Sequence, residues 1–97
     1  MRKYEAMFIL KPELKEDEVV TLAKNIAEPI IKNQGTVSES AVWAPKKRLC
    51  FPIKKYKDGI YYKINFSIEP KVIDTLKQAY RLNENILRML ITNLEND

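Results

Sequence analysis

KKRLCFPIKKYKDGIYYKINF, residues 46–66, reads as two strands joined by a turn. In its second half Ile60, Tyr62, Ile64 and Phe66 alternate with Tyr61, Lys63 and Asn65, the period of a strand with one apolar and one polar, aromatic face. Such a strand belongs to a single-layer sheet with helices on one side only. In the first half Leu49, Phe51 and Ile53 keep register between Arg48 and Ile53, and Pro52 points to a sheet edge because proline has no donor for a central ladder. Lys57-Asp58-Gly59 is the hairpin turn signal. Six cations and no acid lie between Lys46 and Lys57.

Upstream of this hairpin, Thr36 to Val42 is expected to be strand, interrupted at Trp43-Ala44-Pro45 by a bulge or an edge position. Before it, residues 16–33 place Val19, Val20, Leu22, Ala23, Ile26, Ala27, Ile30 and Ile31 at helical spacing, a wide stripe fit to lie on a sheet. Glu16, Asp17 and Glu18 supply the negative charge that a helix N-terminus favours. Pro29 should bend or loosen the last turns, and Gly35 is a natural left-handed stop. Lys3 to Leu10 alternates as a strand, with Tyr4, Ala6, Phe8 and Leu10 on one side and Lys3, Glu5, Met7 and Ile9 on the other.

Downstream, Glu69-Pro70 opens a second helix whose buried stripe is Val72, Ile73, Leu76, Ala79 and Tyr80. Arg81 to Asn85 is the expected exit loop. Ile86 to Leu94 closes the chain as a strand, with Leu87, Met89 and Ile91 on one face and Ile86, Arg88, Leu90 and Thr92 on the other. The order strand, helix, strand, strand, helix, strand, with right-handed crossovers, predicts an α+β fold: the ferredoxin-like βαββαβ plait, a four-stranded antiparallel sheet with two helices on one face. The first and third strands are expected at its centre. One domain across residues 1–97 suits this length.

Composition removes much chemistry. With no histidine and a single cysteine, Cys50, histidine-based triads and the common zinc sites are excluded, so no catalytic residue, metal or cofactor is expected. The N-terminus does not resemble a signal peptide and no apolar run approaches the length of a membrane span, which points to the cytoplasm or its organellar equivalent. Seventeen Lys and Arg against thirteen Asp and Glu give a formal charge of +4, a mild bias toward anionic partners.

The position of that charge says more than its sum. Lys46, Lys47, Arg48, Lys54, Lys55 and Lys57 would flank an edge strand and its hairpin, where clustered cations meet phosphates. A solvated basic hairpin is the alternative, since lysines also protect edge strands. Arg2, Lys3, Lys63 and Arg88 would extend the patch onto the open face and the strand ends, and Tyr61 and Met7 lie near that face, where they would stack on a base or on a partner's side chain. Trp43 and the second-strand edge suit a protein partner as well. The plait hosts unrelated activities, so rival readings need their own motifs. An RNA-recognition motif lacks its pair of open-face aromatics, an acyl phosphatase lacks a glycine-rich cradle at Lys11-Pro12-Glu13, and a copper carrier lacks paired cysteines. A homodimeric regulatory or ligand-sensing domain stays open as the alternative function.

In its opening Arg2-Lys3-Tyr4-Glu5, in the basic, leucine, small, aromatic, proline, isoleucine run Lys47 to Ile53, in Gly59 with Tyr61 or Tyr62, and in Tyr80-Arg81-Leu82 followed by Ile86-Leu87-Arg88, the chain resembles the family of the sixth protein of the bacterial small ribosomal subunit. The resemblance covers essentially the whole chain. It implies a non-enzymatic ribosomal protein that binds the central domain of small-subunit ribosomal RNA together with the eighteenth small-subunit protein, stabilising the platform. By motif it carries Arg2, Tyr4, Lys47, Arg48, Arg81 and Arg88 over as RNA-contacting candidates, to which charge alone adds Lys46, Lys54 and Lys55. It gives Trp43, Cys50 and Tyr61 as candidates for the protein partner. Pro45 departs from the family's usual glycine.

Overall fold

The computed structural model describes residues 1–53 and 55–94, and their side chains except those of residues 44–47 and 50–52. Its elements are β1 (Arg2–Leu10), α1 (Glu16–Lys32), β2 (Thr36–Ile53), β3 (Tyr56–Ile68), a 3-10 turn (Pro70–Val72) leading into α2 (Ile73–Arg81), and β4 (Ile86–Asn93). The strands form one antiparallel sheet in the order β2-β3-β1-β4, so β1 and β3 are central, as the order of elements predicts.

Both central strands bury the side the sequence marks. Tyr4, Ala6, Phe8 and Leu10 of β1 and Ile60, Tyr62, Ile64, Phe66 and Ile68 of β3 join Leu22, Ile26 and Ile30 of α1 and Leu76 and Tyr80 of α2 in one core. Tyr4 stacks on Phe66 with centroids 5.7 Å apart, and the Phe8 ring meets Tyr80 edge-on at 5.1 Å. The Tyr80 hydroxyl donates to the Ile26 carbonyl at 2.6 Å, tying α2 to α1. Burial, with the nearby Tyr62 phenol adding in the same sense, pushes the Tyr80 hydroxyl well above its ordinary pKa. Tyr80→Phe is expected to cost about 1–2 kcal/mol at neutral pH. A raised folded-state pKa contributes stability that is complete below about pH 10 and lost above it, as the unfolded phenol ionises first. The gap between the two proteins in urea unfolding should therefore narrow as pH rises past that point.

Several local expectations are corrected. The α1 stripe is narrower than its sequence suggests: Val20 and Ile31 are 56% and 62% exposed, because they lie roughly 120° or more round the axis from the line through Leu22, Ile26 and Ile30. The helix continues through Pro29 to Lys32; the carbonyl that Pro29 leaves without a donor belongs to exposed Asn25, within reach of water. The Glu18 carboxylate accepts the Lys15 amide at 2.9 Å, closing the other end. The left-handed residue after α1 is Gln34, with φ 67°, and not Gly35. β2 is a single strand with register shifts at Val37/Glu39, Val42/Ala44, Ala44/Lys47 and Arg48/Ile53, which absorb the expected interruption on an edge. The hairpin closes with Ile53 opposite Tyr56, so Lys57-Asp58-Gly59 lies inside β3. Ala79 is exposed, and Arg81 ends α2 and does not begin a loop. A register shift between Ile9 and Leu10 sets Ile86 opposite Leu10, bringing it into the core from the face assigned to it by alternation.

Candidate nucleic-acid interface

β1 ends at Leu10, opposite Ile60, and beyond that point, among the described residues, β3 pairs only with β2. Tyr56–Gly59 and their β2 partners thus form a two-stranded arm. Arg48, opposite Asp58, is exposed on it, as are Lys55 and Lys57. Among the described residues, packing at Gly59 and a hydrogen bond from Tyr56 hold the arm. Leu49 is buried, and a Cβ at Gly59 would stand 2.5 Å from Ile9 Cγ2 and 3.5 Å from Leu49 Cδ2, so glycine is required here for close packing. Near the closing end, the Tyr56 hydroxyl donates to Glu13 Oε1 at 3.0 Å and ties the arm to the β1–α1 connection. That bond, followed by slight desolvation and the Glu13 charge, raises the Tyr56 pKa.

The uncovered face of the sheet is ordered by register. One row runs Arg88, Ile9, Tyr61, Ala44 from β4 to β2, and the Trp43 ring meets Tyr61 with centroids 5.9 Å apart. The next row is Leu90, Met7, Lys63, Ala41, and the third is Thr92, Glu5, Asn65, Glu39. The face therefore passes from a cation and two aromatic rings at the arm end to two carboxylates at the other.

This geometry divides the candidates. Arg88, Tyr61 and Trp43 come together beside the base of the arm that carries Arg48 and Lys55. Tyr4, an RNA-contacting candidate by motif, has its ring in the core against Phe66. Arg2 stands opposite Ile68 on the helix-covered side, about 23 Å of strand from the Arg88 row, and so does not extend the arm's patch. Lys63 does not extend it either, its ammonium lying 3.9 Å from the Glu5 carboxylate. Arg81 is exposed at the end of α2, apart from the sheet's open face. Lys54 lies outside the described residues, as do the side chains of Lys46, Lys47 and Cys50. The sequence reading missed a shallow, mainly apolar groove between α1 and the β2–β3 pair, lined by Leu14, Glu16, Val19, Val20, Val42 and Ile60. The angular position of Val20 on α1 was the available signal. No helix among the described residues is long and apolar enough to cross a membrane.

The comparisons with known proteins agree with the plait and with its length. The family model described as Ribosomal protein S6 matches residues 3–93, from the first strand to the last. The small ribosomal subunit protein bS6 of Helicobacter pylori (strain P12) is 40% identical over 95 residues, which are 98% of this chain and 66% of that protein. The chain thus spans slightly less than two-thirds of that relative's length. The bS6 protein of Symbiobacterium thermophilum is 38% identical over 91 residues, 94% of this chain and 95% of its own. The crystal structure of 30S ribosomal protein S6 from Thermotoga maritima superposes with a TM-score of 0.87 at 26% identity, covering 95% of this chain and 86% of that one. The chain belongs to the ribosomal protein S6 family, whose members are structural proteins of the small ribosomal subunit and not enzymes.

Proposed function

We propose that the protein works as a single domain on the ribosome in the cytoplasm, binding the central domain of small-subunit ribosomal RNA together with the eighteenth small-subunit protein and stabilising the platform. The observation that carries this reading is the basic arm: Arg48, Lys55 and Lys57 are exposed on a hairpin that projects past the end of β1, with Arg88 at its base. Cations on such a projection reach phosphates of a folded RNA, and a planar guanidinium adds a donor fork. The protein partner takes the β2 edge, where Val42 and Trp43 are 42% and 57% exposed and the α1 groove continues the apolar surface.

The test is a titration of a central-domain RNA fragment with and without the eighteenth protein, at several salt concentrations. Binding should strengthen with the partner and weaken steeply with salt. Lys47→Ala and Arg48→Ala should each weaken it and flatten the salt dependence by about one unit of slope. No binding in either mixture would overturn the reading.

A further inference from the structure

The two edges of the sheet are built differently. β2 carries Pro45 and Pro52, a run of cations and four register shifts against β3, all of which hinder the addition of another strand. β4 is the opposite edge, and its sequence ILRMLITN holds one charge, Arg88, with no proline or glycine. Its pairing with β1 is regular from Tyr4↔Asn93 to Ile9↔Arg88. Leu90, at its middle, is 66% exposed.

The direction of its backbone groups follows from one bond. The Leu94 amide donates to the Lys3 carbonyl at 2.9 Å. Peptide groups of successive strand residues point to opposite sides, so Thr92, Leu90 and Arg88 also turn theirs to β1. Ile91, Met89 and Leu87 turn theirs outward, where, among the described residues, β4 has no neighbouring strand.

We propose that β4 pairs antiparallel with β4 of a second copy of this chain, about a two-fold axis at Leu90, joining two sheets into one. A two-fold contact must be self-complementary, and this register is. Met89 of each copy stands opposite Ile91 of the other, so the outward N–H and C=O groups of both residues are used on both chains. Leu90 faces Leu90 in the closely spaced type of pair, so each exposed side chain covers the other. Arg88 falls opposite Thr92, and no like charges are opposed. An axis at Arg88 would set two arginines together, and one at Met89 would set Arg88 against Leu90. The contact is narrow, so association is weak and reversible. It leaves the arm and the β2 edge uncovered and stands independently of the RNA reading.

Sedimentation of the full chain from micromolar to millimolar concentration tests this, using wild type, Leu90→Lys, Leu90→Glu and an equimolar mixture of the two variants. The wild type should show a reversible monomer–dimer equilibrium. Each variant alone should dimerise about tenfold more weakly or worse, because like charges would meet at the axis. The mixture should regain dimer, as Lys and Glu then face each other. Circular dichroism melts confirm that the variants remain folded. A wild type monomeric throughout, a dimer indifferent to both variants, or a mixture without recovery would each overturn the proposal.

Discussion

Phe8→Ala is expected to lower the free energy of unfolding by about 3–5 kcal/mol. Phe8 is fully buried on the central strand β1, where its ring touches Tyr80 of α2 and Tyr62 of β3. Truncation removes the transfer free energy of the ring and leaves a cavity between sheet and helix that the surrounding strands cannot collapse to fill. Against a total stability of about 5–15 kcal/mol for a domain, that loss would leave the chain close to unfolding. Urea denaturation measures it through the transition midpoint. Met7→Ala, one residue away on the uncovered face, should cost less than about 1 kcal/mol. Equal losses at the two positions would contradict the facing of β1.

That contrast between neighbours was legible in the sequence because β1 and β3 alternate cleanly and carry no breakers inside the alternating run. β2 was legible only as an edge. Its prolines announce that it cannot be central, but they do not say whether the strand stops or shifts register, which depends on what β3 offers opposite. Gly59 shows the same limit more sharply. Asp58-Gly59 has the composition of a turn, yet the structure places it inside β3, and the reason for glycine is the Ile9 side chain on a different strand. Local composition carries no record of such a neighbour.

The candidate interface divides in the same way. The density of cations between Lys46 and Lys57 is a property of the chain itself and could be read directly. The Tyr56–Glu13 bond that ties the arm to the β1–α1 connection spans 43 residues, and nothing near Tyr56 predicts it. Arg2, Tyr4 and Arg88 enter together by motif, but a motif is ordered along the chain while an interface is ordered in space. The fold carries Tyr4 into the core and leaves Arg2 and Arg88 at opposite ends of the sheet.

The end of α1 gives the second large effect. Gln34 donates to the Ile31 carbonyl at 3.0 Å and Gly35 to the Ile30 carbonyl at 2.7 Å, the pair of bonds that ends a helix in a left-handed turn. In such a turn glycine is expected at the left-handed position, but here Gln34 occupies it and Gly35 follows. Gly35 answers a different demand, for space: a Cβ there would lie 2.8 Å from Ile30 Cγ2 and 2.9 Å from the carbonyl oxygens of both Ile30 and Ser67. Two of those atoms are backbone, one in α1 and one in β3, and neither can turn aside as a side chain would. Gly35→Ala is therefore expected to cost about 2–3 kcal/mol. Gln34→Gly should act in the other direction, relieving the left-handed strain and stabilising the protein by up to about 1 kcal/mol after the added freedom of the unfolded chain is subtracted. Thermal and urea melts of the two variants separate the two demands. If Gly35→Ala proved neutral, the approach of α1 to β3 would have to be looser than the Gly35 contacts require.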